Sequence, residues 1–558
     1  MSIARTLRTV RHIPLRQLAA RARFLWLRKR YAIDPSIPFV HAAIDAAGME
    51  PIATPPRLSD DVLWPEGLDA VERRAAEFAR GNFVYLNRAA DFAAGIRWRD
   101  EGASPLWLYQ LQYLGCVADL ARTGRVADAA KILASWRAEY EGRWDAAAWH
   151  PYPASMRLVN LCVAASVAGG FEALGPGVAQ LAAVHAAYVL RHVEHDVRGN
   201  HILENARALA WAGRVFHGGA AGECERTARA ILDVEIAEQV LPDGGHFEMS
   251  PMYHGIVLRD LLEVRALLAA DNSLLMKSLE AAIRRMGEFL AGVLCPDGDI
   301  PLLGDSVRNF GPPPATLLRL AGVVPTEWTG VRSFPDTGLH VLKSARIWAI
   351  FDAGPVCPSY LPAHGQADTL TVEVWVDGVC VVGDPGVFDY AGPERAWGRS
   401  SRAHSTVTID GADTSEVHGS FRVGGRAEVL DMRATTESVQ ATMRPFGSVV
   451  SIHRAVSVRG GSLAIHDEAV NVRGSSAASR LHLAPGVRIE SQCEGAERAV
   501  LATSAGLVDI VSDSEIVVER GVASREFGRL DETSILVHGT SRNWWGIWQL
   551  TPRDRSAP

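Results

Sequence analysis

No two of the seven cysteines (Cys116, Cys162, Cys224, Cys295, Cys357, Cys380 and Cys493) stand in a CxxC pair. An odd, scattered set without zinc spacing gives no disulfide framework and reads as buried, reduced thiols. Positive charge is also short: 57 Lys and Arg against 64 Asp and Glu leave a formal net charge of −7. That argues against a nucleic-acid binder, which carries a basic excess. It leaves room for an acidic glycan, because arginines gathered in one cleft can act against the global sign. No stretch is apolar and long enough to span a bilayer. Residues 1–33 are rich in arginine and lack the continuous apolar core of a secretory signal. Cytoplasmic placement is the expectation, with periplasmic placement as the alternative. The same basic segment could lie on an anionic membrane surface, or its arginines could be solvated or paired with acidic neighbours.

What is present is enough for two domains: 558 residues exceed one ordinary core, and 48% hydrophobic with 22% charged content is that of a globular chain. The text changes character near residue 335. Before it, apolar residues recur with helical period through Val71–Arg80, Leu106–Thr123, Ala127–Tyr140, Ser155–Ala168, Val178–His192, His201–Phe216, Glu223–Val240 and Val257–Leu294. Short breaks such as Pro242-Asp-Gly-Gly245 separate them, so repeated antiparallel helical hairpins are expected over 1–335. From about Gly338 the period becomes two. Thr369–Val376 alternates before the turn Asp377-Gly378, and Val379–Val382, Ser405–Ile409, Val449–His453, Ala455–Val458, Ser462–His466, Leu507–Val511 and Ser534–His538 follow. Many short strands predict a large antiparallel sheet or sandwich over 336–558.

Four segments concentrate polar residues beyond what packing asks. Gly199-Asn-His-Ile-Leu-Glu-Asn205 opens a helix; His201 and Glu204, three apart, share a face, and Asn200 stands where backbone N–H groups are free. The bland reading makes Asn200 a cap and lets His201 and Glu204 satisfy one another. Leu241–His254 carries Asp243, His246, Glu248, Tyr253 and His254 ahead of a helix beginning near Gly255. Pro362-Ala-His-Gly-Gln-Ala-Asp368 places His364 at a strand entrance. Gly383-Asp-Pro-Gly386 is followed by Arg395, Arg399, Arg402 and His404, an anion-binding surface or a solvated face. Asp384 and His404 are plausible metal ligands.

In this order the segments resemble the heparinase II/III family of polysaccharide lyases. Asn200-His201-x-x-Glu204-Asn205 is similar to its Asn/His helix, and His246-Phe-Glu-x-Ser-Pro-x-Tyr-His254 to its tyrosine motif. His364-Gly-x-Ala-Asp368 resembles the segment that opens its β domain, and Arg402-Ala-His-Ser-Thr406 its following strand. Trp149-His-Pro-Tyr-Pro-x-Ser155 and Pro301-Leu-Leu-Gly-Asp-Ser306 also look like family segments. The resemblance implies an incomplete (α/α) toroid followed by an antiparallel β-sandwich, with a cleft between them. It also implies β-elimination at a uronic acid in an acidic polysaccharide.

For that reaction Asn200 and His201 would hold the uronate carboxylate and the charge that develops there. Tyr253 would be the base or acid and His364 its counterpart, with Glu204, Arg399 and Arg402 binding substrate. No cofactor is required. The resemblance points to Asp384 and His404 as ligands of a structural zinc, but Gln366 stands where relatives often carry a second histidine, and glutamine is a poor zinc ligand. Two rivals remain: a hydrolase using Glu204 with Asp243 or Glu248 as paired carboxylates, and a glycan-binding protein of polysaccharide biosynthesis without activity.

Overall fold

The structure, a computed structural model of the chain, describes residues 3–100, 102–269, 273–472, 475–492, 495–541 and 544–553. Cys493 lies outside them, and the other six cysteines are unpaired thiols. Two compact units form, and neither is one continuous stretch: Pro14–Gln239 with Ile256–Arg284, and Met1–Ile13 with Val240–Gly255 and Arg285–Pro558. The change from helix to strand falls between Pro314–Ala321 and Gly330–Phe334, close to the expected point. A single cut at 335/336 therefore describes the secondary structure rather than the compact units.

In the helical unit alternate helices pack on one another. Leu68–Ala79 lies on Gly115–Arg122, which lies on Pro151–Ala168, which lies on Asn200–Val215. Val126–Tyr140 and Val178–Arg191 fall between them in sequence, and Gly219–Gln239 follows the last. This alternation is that of an incomplete (α/α) toroid. Pro151–Ala168 and Asn200–Val215 are buried on nearly every face, as an inner helix must be, and their abundant alanine lets the helices approach. Two expected helices are divided. Leu106–Thr123 becomes Pro105–Gln112 and Gly115–Arg122, broken where Leu114 takes φ 55°. Val257–Leu294 becomes Pro251–Leu267 and Leu274–Val293, with residues 270–272 outside the description.

The β-rich unit has one five-stranded sheet in chain order from Gly330–Phe334 to Val379–Val382, a four-stranded sheet and an eight-stranded sheet, all antiparallel. A bridge between Val382 and Leu483 links the first two, and one continuous core of residues from all three makes a sandwich. Val449–His453 and Ala455–Val458 merge into the single strand Ser451–Arg459.

Thr369–Val376 reads as alternating, yet every residue of Val372–Val376 is buried, because the five-stranded sheet is covered on both faces. Val372, Val374 and Val376 join the sandwich core. On the other face Trp375, Trp348 and Ile350 pack against Phe289, Val293 and Leu303, while Glu373 accepts a hydrogen bond from Leu302 N at 2.8 Å. This outer face fixes the run that ends in Asp305.

Candidate active site

In the β-rich unit the site grows around Asp305. Gly304 takes φ +56°, and a Cβ there would come within 3.0 Å of Met249 O and 3.5 Å of His364 O. Only glycine lets these three loops close on one another. Asp305 is fully buried. Arg395 grips it with both terminal nitrogens, at 2.5 and 2.7 Å, Gln366 Nε2 donates at 2.8 Å, and His364 Nδ1 lies 3.0 Å away. Burial alone would raise the Asp305 pKa, but Arg395 and His364 outweigh it and hold the carboxyl well below its ordinary value.

The other nitrogen of His364 lies 3.2 Å from Glu248 Oε2. Burial works against the charged ring, yet the Asp305 and Glu248 carboxylates win and raise its pKa. The imidazole thus lies between two carboxylates, which favour its charged form. Tyr253 stacks on it, ring centroids 3.7 Å apart and planes at 24°, and its hydroxyl is 2.9 Å from that of Tyr390. Burial, then Tyr390 and the charges of Asp305 and Glu248, keep the Tyr253 pKa well above the ordinary value. Tyr253 is a neutral phenol here, stacked on a ring whose charged form would favour its phenolate.

The helix carrying Tyr253 begins at Pro251 rather than near Gly255, since proline suits the first helical position. Ser250 closes that end: its hydroxyl donates to Asp305 O at 2.8 Å and lies 3.0 Å from Ser306 Oγ. The rest of the titratable segment is packing. His254 is buried, hydrogen-bonded to Met286 O at 3.0 Å, with burial driving its pKa down to about 3. Asp243 accepts from Thr337 N and Oγ1, both at 2.7 Å.

In the helical unit the site is built around Glu194. Gly199, at φ 58° and ψ −142°, is the residue before Asn200, a backbone region open almost only to glycine. It, not Asn200, caps the helix. His201 does not pair with Glu204. Its Nδ1 lies 2.9 Å from Glu194 Oε1, whose other oxygen accepts from Asn205 at 3.1 Å. Burial disfavours the Glu194 charge, but His201, His150 and Asn205 outweigh it and lower the pKa. The rings of Tyr152 and His201 are 4.4 Å apart, leaving His201 partly exposed beside a buried carboxylate.

Two of the three expected substrate contacts need correction. Glu204 is fully buried and bonded to Arg207 at 2.9 and 3.0 Å. Arg207 and Arg259 face three carboxylates there, and burial raises the Glu204 pKa to about 8. Arg399, 1% exposed, gives its donors to the carbonyls of Gly365, Gly419 and Arg422. Both residues hold the scaffold. Arg402 alone is exposed, 3.9 Å from Glu519. The three arginines form no common surface, because Arg395 and Arg399 are four apart at the end of one short helix and turn inward together.

The residues present do not fit a zinc ion. His404 Nδ1 lies 2.8 Å from Asp384 and its Nε2 has no hydrogen-bond partner, but Gln366 turns its amide to Asp305. Among the described residues no three His, Cys, Asp or Glu side chains could hold a metal, and two ligands do not make a tetrahedral site.

Asp305 and Tyr390 had no role from sequence, and Arg395 stood only in the arginine run. Asp305 lies in the family-like segment Pro301-Leu-Leu-Gly-Asp-Ser306, and its isolation after a glycine was the available signal. Tyr390 carried none.

Residues 177–310 match Heparinase II/III N-terminus and residues 327–547 match Heparinase II/III-like, C-terminal. The chain belongs to the heparinase II/III family. A heparin-sulfate lyase of Pedobacter heparinus is 27% identical over 322 residues, 51% of this chain and 48% of that protein. A heparin-sulfate lyase of Bacteroides stercoris is 27% identical over 280 residues, 44% and 41% of the two chains. The matches span less than half of each curated relative. A crystal structure of heparinase III shares the fold, with a TM-score of 0.72, 17% identity, and coverage of 91% of this chain and 88% of that one. Among the described residues no helix is long and apolar enough to cross a membrane.

Proposed function

We propose that this chain is a polysaccharide lyase that cleaves an acidic, uronate-containing polysaccharide by β-elimination. The observation that carries it is the Tyr253 phenol stacked on the His364 imidazole, which lies between the Asp305 and Glu248 carboxylates. The reaction breaks the C5–H bond, whose electrons become the C4=C5 double bond. The C4–O bond breaks with its pair on the glycosidic oxygen, which takes up a proton. No water is consumed. Tyr253 is the group that moves the proton, with its hydroxyl poised against Tyr390. His364, with both nitrogens committed, serves as the fixed positive charge that makes the phenolate accessible. Asn200 and His201 stabilise the uronate carboxylate as charge spreads onto it.

The mechanism asks for no metal. The curated relatives named as heparin-sulfate lyases make heparan sulfate the first substrate to try, with other uronate polymers beside it. The hydrolase reading fares worse: Glu204 is tied to Arg207, Asp243 to Thr337, and Glu248 faces His364.

Digestion in water enriched in heavy oxygen tests the proposal. Elimination leaves unlabelled, unsaturated fragments; label at the new reducing end would establish hydrolysis instead. Cytoplasmic placement belongs to the same proposal and fails if the native protein is recovered from periplasm or culture medium.

A further inference from the structure

The helix Leu15–Ile33 carries five arginines and one lysine and no acidic residue. Its inner side is anchored within the helical unit. Gln17 donates to the carbonyls of Asp196 and Val197 at 3.2 and 3.4 Å, Arg21 meets Asp196 at 2.9 Å, and the Tyr31 hydroxyl lies 2.9 Å from His192. These contacts fix which face is turned away.

That face is apolar along its centre. Leu15, Ala19, Ala22, Trp26 and Ile33 are all exposed, the three large ones at 84%, 58% and 86%. Their steps of four, three, four and seven put them on one line of a helix. Arg16, Arg23 and Arg30, each seven from the next, run alongside it and are exposed too. Among the described residues none of these three has a carboxylate partner. A helix bound to the rest of the protein would hide the tryptophan; a merely solvated one would not line it up with leucine and isoleucine.

We infer that this face docks on an anionic phospholipid surface, with the stripe in the interface and the arginine row at the headgroups. The helix, about 28 Å long at 1.5 Å per residue, would lie flat. The chemistry discriminates between occupants. An acidic polysaccharide would satisfy the arginines and leave Leu15, Trp26 and Ile33 in water. A second copy would cover the stripe but bring two unpaired arginine rows together. Anionic lipid answers both.

Flotation of the full-length protein with vesicles of phosphatidylcholine alone, or with about 30% phosphatidylglycerol, tests this. The protein should float with the anionic vesicles only, and detach as salt is raised. Replacing Arg16, Arg23 and Arg30 by Gln should weaken binding about a hundredfold, from roughly fivefold per basic residue. Trp26→Ser should weaken it about tenfold or more. Both sets of substitutions are on exposed positions, and the wild-type comparison needs no variant. Three results would overturn the inference: wild-type protein that stays with neither vesicle or floats equally with both, binding that depends on the arginines but not on Trp26, or self-association lost on Trp26→Ser without flotation. The second would reassign the face to a soluble polyanion and the third to another copy of the chain.

Discussion

Two buried, bidentate arginine–aspartate pairs in the β-rich unit, one side-on and one end-on, do different work. Between the sandwich layers, Arg454 donates Nε and Nη2 to Asp467 at 2.6 and 2.8 Å, and its other donors go to Leu370 O, Ser405 O and Ser479 Oγ. Asp467 takes Ser479 as well, at 2.7 Å. Every donor of the guanidinium is used, and among the described residues no titratable side chain is hydrogen-bonded to the pair. At the site, Arg395 holds Asp305 just as tightly, but the remaining lone pairs of Asp305 hold His364 and Gln366. A bidentate pair by itself is a fastener. It becomes part of a site when the carboxylate has acceptor capacity left over and spends it on a ring that can carry charge.

Removing the carboxylate charge separates the two most sharply. Asp305→Asn and Asp467→Asn each leave a buried arginine without its partner and should cost about 3–5 kcal/mol of stability, visible as a lowered Tm. Only Asp305→Asn should also remove activity from the molecules that stay folded, by about a thousandfold. Equal specific activity in the two folded variants would erase the distinction. Tyr390→Phe comes next: it keeps the ring packing and deletes the hydroxyl partner of Tyr253, so kcat should fall about tenfold with Tm nearly unchanged, because a single hydrogen bond contributes about 1 kcal/mol.

Acid and base should act on the site pair in opposite senses. The His364 pKa is raised above 6.5 on folding, so its contribution to stability and activity is complete below that value and is lost as pH rises through its folded pKa. The Asp305 pKa is lowered; its contribution is present above 3.8 and is lost as pH falls through its folded value. Activity should therefore show an alkaline limb that His364→Gln abolishes along with most of the rate. The smallest effect belongs to Arg402→Ala, which should raise KM about two- to threefold with kcat and Tm unchanged, the difference fading at high salt.

What could be read from sequence followed range. Helices, strands and the four polar segments depend on spacing along the chain, and most stand where periodicity put them. Pairings across the fold did not declare themselves. His201 turned to Glu194 in the loop before it rather than to Glu204 on its own helix. Arg395 found Asp305, ninety residues away. The arginine cluster, open from sequence to an anion-binding surface or a solvated face, split because helical phase, invisible in a run containing Gly392, Pro393 and Gly398, sent two of its members inward. Thr369–Val376 alternates as a half-exposed strand would, but the segment Phe289–Leu303 covers its outer face, and nothing local announces a cover supplied from elsewhere in the chain.

The most direct measurement is ultraviolet absorbance of unsaturated uronate product on a panel of uronate polysaccharides, with wild type beside Tyr253→Phe. The wild-type enzyme should generate the absorbance on at least one polymer, and Tyr253→Phe, which loses only the hydroxyl, should be about a thousandfold slower with the same fold and comparable KM. Unsaturated product formed as fast by Tyr253→Phe as by wild type would contradict the account.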